Sequence, residues 1–109
     1  MFSLTTYTTS TGELILSLSG RFAFNANQKF RESYKKLDAE KLNNLTVDLF
    51  DVSYVDSSAL GMLLILRDHV SSLGGNKVRL IINEKSAVHE VLFTSKFDEL
   101  FHIVGKRNE

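Results

Sequence analysis

The sequence predicts an α/β domain. Three observations carry that reading. Strand-like runs alternate with helical patterns along the chain. A glycine pair, Gly74-Gly75, closes the longest helical pattern. The length, 109 residues, is that of one ordinary domain, so residues 1–109 are read as a single unit.

The elements follow in order. Thr8 to Gly12 is a turn signal between two β-type runs. Before it, Leu4 to Tyr7 is rich in Thr and carries a Tyr, both suited to a pleated surface. After it, Glu13 to Ser19 alternates, with Leu14, Leu16 and Leu18 on one face, and Gly20 ends the strand. Together they form an opening hairpin. Asn25 is placed to cap a helix running to about Ala39, with Ala26, Phe30, Tyr34 and Leu37 on one face. Lys29, Arg31, Glu32, Lys35, Lys36 and Asp38 fill its solvated side.

Leu45 to Phe50 is the next strand, with Val52 to Val55 as an optional extension. Ser57 to Leu73 is the strongest helix, stopped by Gly74-Gly75-Asn76. Lys77 to Ile82 is a strand. Ser86 caps a further helix with Val88, Val91 and Leu92 inward. Phe101 to Val104 is the last strand, before a short charged tail. Internal repeats and low-complexity segments are absent.

Composition excludes several classes of function. Lys plus Arg number 13 and Asp plus Glu 13, so the net charge is zero and the basic footprint of a nucleic-acid binder is missing. With no Cys there is no disulfide, thiolate zinc site or cysteine nucleophile. Met1 to Ser10 has no positive side chain and no long apolar run, so it does not read as a signal peptide. The longest apolar run, Met62 to Leu66, is far short of the roughly 20 residues of a membrane span. The default expectation is a cytoplasmic protein that does not insert into membranes.

Chemistry concentrates at Val47 to Leu66. There a β-run leads through Asp56-Ser57-Ser58 straight into an apolar helix. Hydroxyls at a helix N-terminus face free N–H groups and the positive end of the dipole, so a phosphate on Ser57 would be tolerated there. The plainer reading is that Asp56 or Ser57 is an N-cap and nothing more. On a helical wheel Ala59, Met62, Leu63, Leu66, Val70 and Leu73 share one arc, the width of an ordinary core stripe. Leu60, Leu64 and Ile65 lie outside it, beside a polar line of Gly61, Asp68 and Ser72. Either they form an exposed apolar patch, or the helix is covered on two sides.

Val47-Asp48-Leu49 followed by Val55-Asp56-Ser57-Ser58-Ala59-Leu60-Gly61 resembles the signature of STAS domains, the anti-sigma factor antagonist family. The opening hairpin, the first helix, the Gly-Gly stop and the later helix are similar as well, so the resemblance spans nearly the whole chain. It implies a single STAS-like domain with a small mixed β-sheet packed against several α-helices. It also implies a bacterial partner switch. The unphosphorylated protein binds an anti-sigma factor with serine kinase activity, phosphorylation releases it, and a serine phosphatase resets it. By position the phosphorylated residue is Ser57, with Ser58 its rival. The partner-binding set implied is Asp56, Ser57, Ser58, Leu60, Gly61, Leu64 and Ile65, with Asp48 supporting the loop from the strand end.

One position departs from the family pattern. Many members carry Asp three residues after the glycine of the second strand, and here that residue is Ala23. Whether Asn25 replaces it is open at this level.

Other chemistries find less support. His69, His89 and His102 lack the short spacings of a metal site. Gly74-Gly75 is not a phosphate-binding string, and no cofactor is expected. Ser57 is not in a G-x-S-x-G context and has no nearby histidine base, so a catalytic role is not expected. The alternative within the family is a constitutive adaptor subunit of a lipid-transport or other multiprotein complex.

Overall fold

The computed structural model describes residues 1–105; the charged tail falls outside them. A five-stranded sheet has the order β1-β2-β3-β4-β5. Strands β1 (Ser3–Thr8) and β2 (Leu14–Phe22) form the antiparallel hairpin, in unbroken register from Ser3↔Ser19 to Thr8↔Leu14. Strands β3 (Leu45–Val55), β4 (Arg79–Ile81) and β5 (His102–Val104) then add in parallel. Each parallel step needs a crossover, and the helices supply them. They are α1 (Asn27–Glu32), α2 (Ala39–Leu42), α3 (Ser57–Ser72) and α4 (Ala87–Thr94). The sheet is mixed and the fold α/β, as expected.

Strand alternation sorts the two sheet faces. Leu14, Leu16 and Leu18 join Leu45, Val47, Leu49 and Leu80 in one core cluster. The buried side chains of all four helices enter the same cluster, among them Phe30, Leu42, Leu63, Leu66 and Leu92. Burying side chains of this size contributes about 1.5–3 kcal/mol each. The opposite face carries a row that crosses every strand: Tyr7, Ile15, Thr46, Arg79 and His102. Thr46 is fully buried within it and donates to Glu13 Oε2 at 2.6 Å. Arg79 bonds the same oxygen at 3.0 Å.

Four expectations need correction. The helix expected from Asn25 to Ala39 is broken. Asn25 lies inside a 3-10 turn (Phe24–Ala26), and α1 starts without a side-chain cap. The Ser33 hydroxyl donates back to the Phe30 carbonyl at 2.5 Å, and the chain tightens into turns beyond Glu32. Asp38, read as a surface charge, instead caps α2 by accepting from the Lys41 N–H at 3.1 Å.

Gly20 does not end β2, which runs on to Phe22. The glycine takes φ +82 beside a register shift, where a Cβ would overlap the Met1 carbonyl oxygen. Strands β4 and β5 are also shorter than read, because β4 meets only Thr46, Val47 and Asp48 of β3. The optional extension of β3 through Val52 to Val55 is formed.

Candidate functional site

Strand β3 delivers the chain to Asp56, where the backbone is extended, and α3 begins at Ser57. Asp56 is the N-cap: its Oδ1 accepts from the Ala59 N–H at 2.9 Å. Its Oδ2 accepts from the Phe24 N–H at 3.3 Å, which ties the loop after β2 to the helix start. Ser57 is exposed, and among the described residues nothing bonds its hydroxyl. Of the two cap candidates, the capping is done by Asp56. Ser58 is half-buried.

Farther along α3 the wheel is partly corrected. Ala59, Met62, Leu63, Leu66 and Val70 are buried as expected. Leu73 is 39% exposed, because it is the C-cap residue and lies past the last covered turn. Leu60 and Leu64 are half-buried and pack against the core. Ile65 stands out, 62% exposed. A Cβ built on Gly61 would meet nothing within 4 Å. Ser57, Gly61 and Ile65 therefore form an open strip at successive turns. A groove between α1 and α3 passes Ile65, lined also by Tyr34, Met62 and His69, with Arg31 and Lys35 at it.

Asp48 stands apart from these residues. It lies mid-strand, paired with Ser17 and Ile81, and Phe50 N–H donates to its Oδ1 at 2.9 Å. Eight strand positions, roughly 25 Å of chain, separate it from Asp56. The strand runs on to Val55, so Asp48 lies within β3 and not at its end. The side chain is 4% exposed.

Sequence reasoning missed Phe24. It is 73% exposed on the loop that Asp56 holds. Nearby in register, Arg21 and Tyr54 are neighbours on β2 and β3, with the guanidinium 4.0 Å over the ring. Ala23, at the departure from the family pattern, is buried in extended backbone. Asn25 is exposed, with no side-chain bond among the described residues.

The histidines do not converge. His69 packs tilted against Tyr34 with ring centroids 5.5 Å apart, His89 tilted against Phe93 at 4.7 Å, and His102 lies on β5. Among the described residues there is no group of three or more His, Cys, Asp or Glu placed to hold a metal ion. None of the described helices is long and apolar enough to cross a membrane. Burial pushes the Tyr34 phenol above its ordinary value, partly offset by Arg31.

The domain is a small mixed sheet packed against helices, with an exposed serine opening the helix after its central strand. Comparison with known proteins gives the family. The STAS domain model matches residues 5–109. A STAS-domain containing protein of Pseudomonas aeruginosa is 42% identical over 92 residues, covering 84% of this chain and 87% of that protein. The chain belongs to the STAS-domain family.

Solved structures share the fold. A candidate anti-sigma factor antagonist of Thermotoga maritima superimposes with a TM-score of 0.76 at 24% identity, covering 92% of this chain and 84% of that one. An anti-sigma factor antagonist of Mycobacterium paratuberculosis gives 0.77 at 14%, covering 94% and 85%. The anti-sigma factor antagonist SpoIIAA, in its unphosphorylated form, gives 0.61 at 13%, covering 89% and 96%.

Proposed function

We propose that this protein is an anti-sigma factor antagonist working as a partner switch in the bacterial cytoplasm. Unphosphorylated, it binds an anti-sigma factor that is also a serine kinase. Phosphorylation of Ser57 releases it, and a serine phosphatase resets it. The protein is acted upon and catalyses nothing itself. The observation that carries this reading is the division of labour at the helix start. Asp56 does the capping, and the Ser57 hydroxyl is left exposed and unbonded among the described residues.

The physics of release is electrostatic. A phosphate adds about −1.5 to −2 charges next to Asp56, inside the surface that the partner must desolvate. The helix N-terminus accommodates that charge, so the fold is retained while the interface is lost. A loss of about 3 kcal/mol of association is roughly a hundredfold in affinity. Its structural neighbours support this reading in kind, being antagonists of anti-sigma factors.

The test has two arms. Intact-mass analysis of protein from cells, with and without phosphatase treatment, is expected to show one removable phosphate that Ser57→Ala abolishes. Pulldowns with Ser57→Ala and Ser57→Asp as baits are expected to recover a kinase-fold anti-sigma factor with the alanine bait alone. A Ser57 unmodified in every growth condition, with equal capture by both baits, refutes the switch and favours a constitutive adaptor.

A further inference from the structure

The sheet has two edges, and they are unlike. Strand β5 is three residues long, too short to template another strand, whereas β1 is six residues long at the opposite edge. Folded proteins usually blunt an exposed edge with a charge, a proline, a bulge or brevity. Strand β1 has none of these. Its sequence, Ser-Leu-Thr-Thr-Tyr-Thr, carries no charge, no Pro and no Gly, and its register with β2 is unbroken. Every residue but Leu4 is exposed. Threonine and tyrosine are also strong strand formers.

We propose that β1 is a self-pairing edge, along which two copies of this chain join antiparallel into one continuous sheet. Antiparallel pairing about a two-fold axis normal to the sheet brings same-face residues opposite one another. Among the registers that satisfy that condition, two keep most of the strand paired. Centred on Thr5, the strand sets Leu4 against Thr6 and Ser3 against Tyr7. Centred on Thr6, it sets Thr5 against Tyr7 and Leu4 against Thr8. Every pair is uncharged, and Thr–Thr and aromatic–β-branched pairs are favourable cross-strand neighbours.

Set against itself the edge pairs without a charge in either register, which makes a second copy the fitting occupant. Lys plus Arg equals Asp plus Glu, so two copies approach without net repulsion. The edge lies across β2 from β3, the strand that leads to Ser57, so pairing there leaves the α3 surface open. A six-residue ladder buries far less than the roughly 1,600 Å² of a standard interface, so the dimer is weak and concentration-dependent.

Sedimentation equilibrium of the full chain, from about 10 µM to about 1 mM, tests this in the range expected of a small interface. The expected result is a mass rising from 12.3 kDa towards twice that value. Thr5→Lys and Thr6→Lys, both at exposed edge positions, are expected to hold the chain at the monomer mass with unchanged circular dichroism. Hydrogen exchange on the unaltered chain supplies a readout independent of variant folding, with amides of residues 3–8 gaining protection as concentration rises. A monomer throughout the range leaves the edge to a foreign strand and overturns the proposal. So does a dimer that survives both lysines, or one whose new protection lies elsewhere.

Discussion

The Phe24 N–H donates to Oδ2 of Asp56 across 32 positions of sequence, while Oδ1 of the same carboxylate caps α3. One side chain thereby fixes both the helix start and the loop that presents an exposed phenylalanine. Two acceptor oxygens are needed, which is why a hydroxyl cap would not serve equally.

Asp56→Ala removes both bonds. A lost N-cap costs about 0.5–2 kcal/mol. In a domain of this size that lowers Tm by about 4–8 °C per kcal/mol. Asp56→Asn keeps an oxygen for the Ala59 N–H and loses the acceptor for Phe24, so its loss is smaller. Thermal unfolding followed by circular dichroism gives the order parent, Asn, Ala.

Gly61 lies within α3 with open space where a Cβ would go. Glycine in a helix interior costs about 0.5–1 kcal/mol relative to alanine. Gly61→Ala is therefore expected to raise the denaturation midpoint. If the proposed partner approaches this strip closely, the same change weakens binding, and stability and affinity move in opposite directions.

Leu64, beside the strip, and Ile65, within it, separate folding from recognition. Leu64 packs against the core, so Leu64→Glu lowers stability by about 1–3 kcal/mol. Ile65 is exposed, so Ile65→Glu stays within about 0.5 kcal/mol of the parent. Urea unfolding distinguishes them, and Ile65→Glu is the clean variant for binding assays.

Glu13 and Arg79 predict an asymmetric pair of effects. Arg79→Ala breaks a partly exposed ion pair, worth about 0–1 kcal/mol. Glu13→Ala also strands the buried Thr46 hydroxyl, at about 1–3 kcal/mol. Chemical denaturation is expected to show the Glu13 variant less stable than the Arg79 variant.

Tyr34 sets an alkaline limit. Burial raises its pKa above 10.0 in the folded state, so the unfolded chain loses that proton first as pH rises. The associated stability is complete below about pH 10 and is lost as pH climbs through the folded-state value. Tyr34→Phe lacks this term. Urea midpoints of parent and variant, compared at neutral pH and above pH 10, are expected to converge on the alkaline side.

Much of this architecture was legible in the residues. Leucine alternation in β2 and the glycine stop after α3 led to the right elements, because both signals are local. The Asp-Ser-Ser junction was legible for the same reason. The helix after β2 was misread because Ala26, Phe30, Tyr34 and Leu37 keep a helical spacing across a break. Asp38 followed by Glu40 and Lys41 was the available sign of a new helix start. Phe24 left no local sign, since its link to Asp56 exists only in three dimensions. The wheel of α3 left two outcomes open, and the helix divides them: Ile65 outward, Leu60 and Leu64 half-covered.

The hydroxyl of Ser57 rides on the first turn of a helix pinned by its own cap and by five buried side chains along its length. Among the described residues it is exposed and nothing bonds it. If Ser57 carries the switch, the two forms of the protein superimpose, and the signal is stored as surface chemistry instead of shape. Discrimination then belongs wholly to the reader. Specificity could drift by changes in the partner alone, with this domain left untouched.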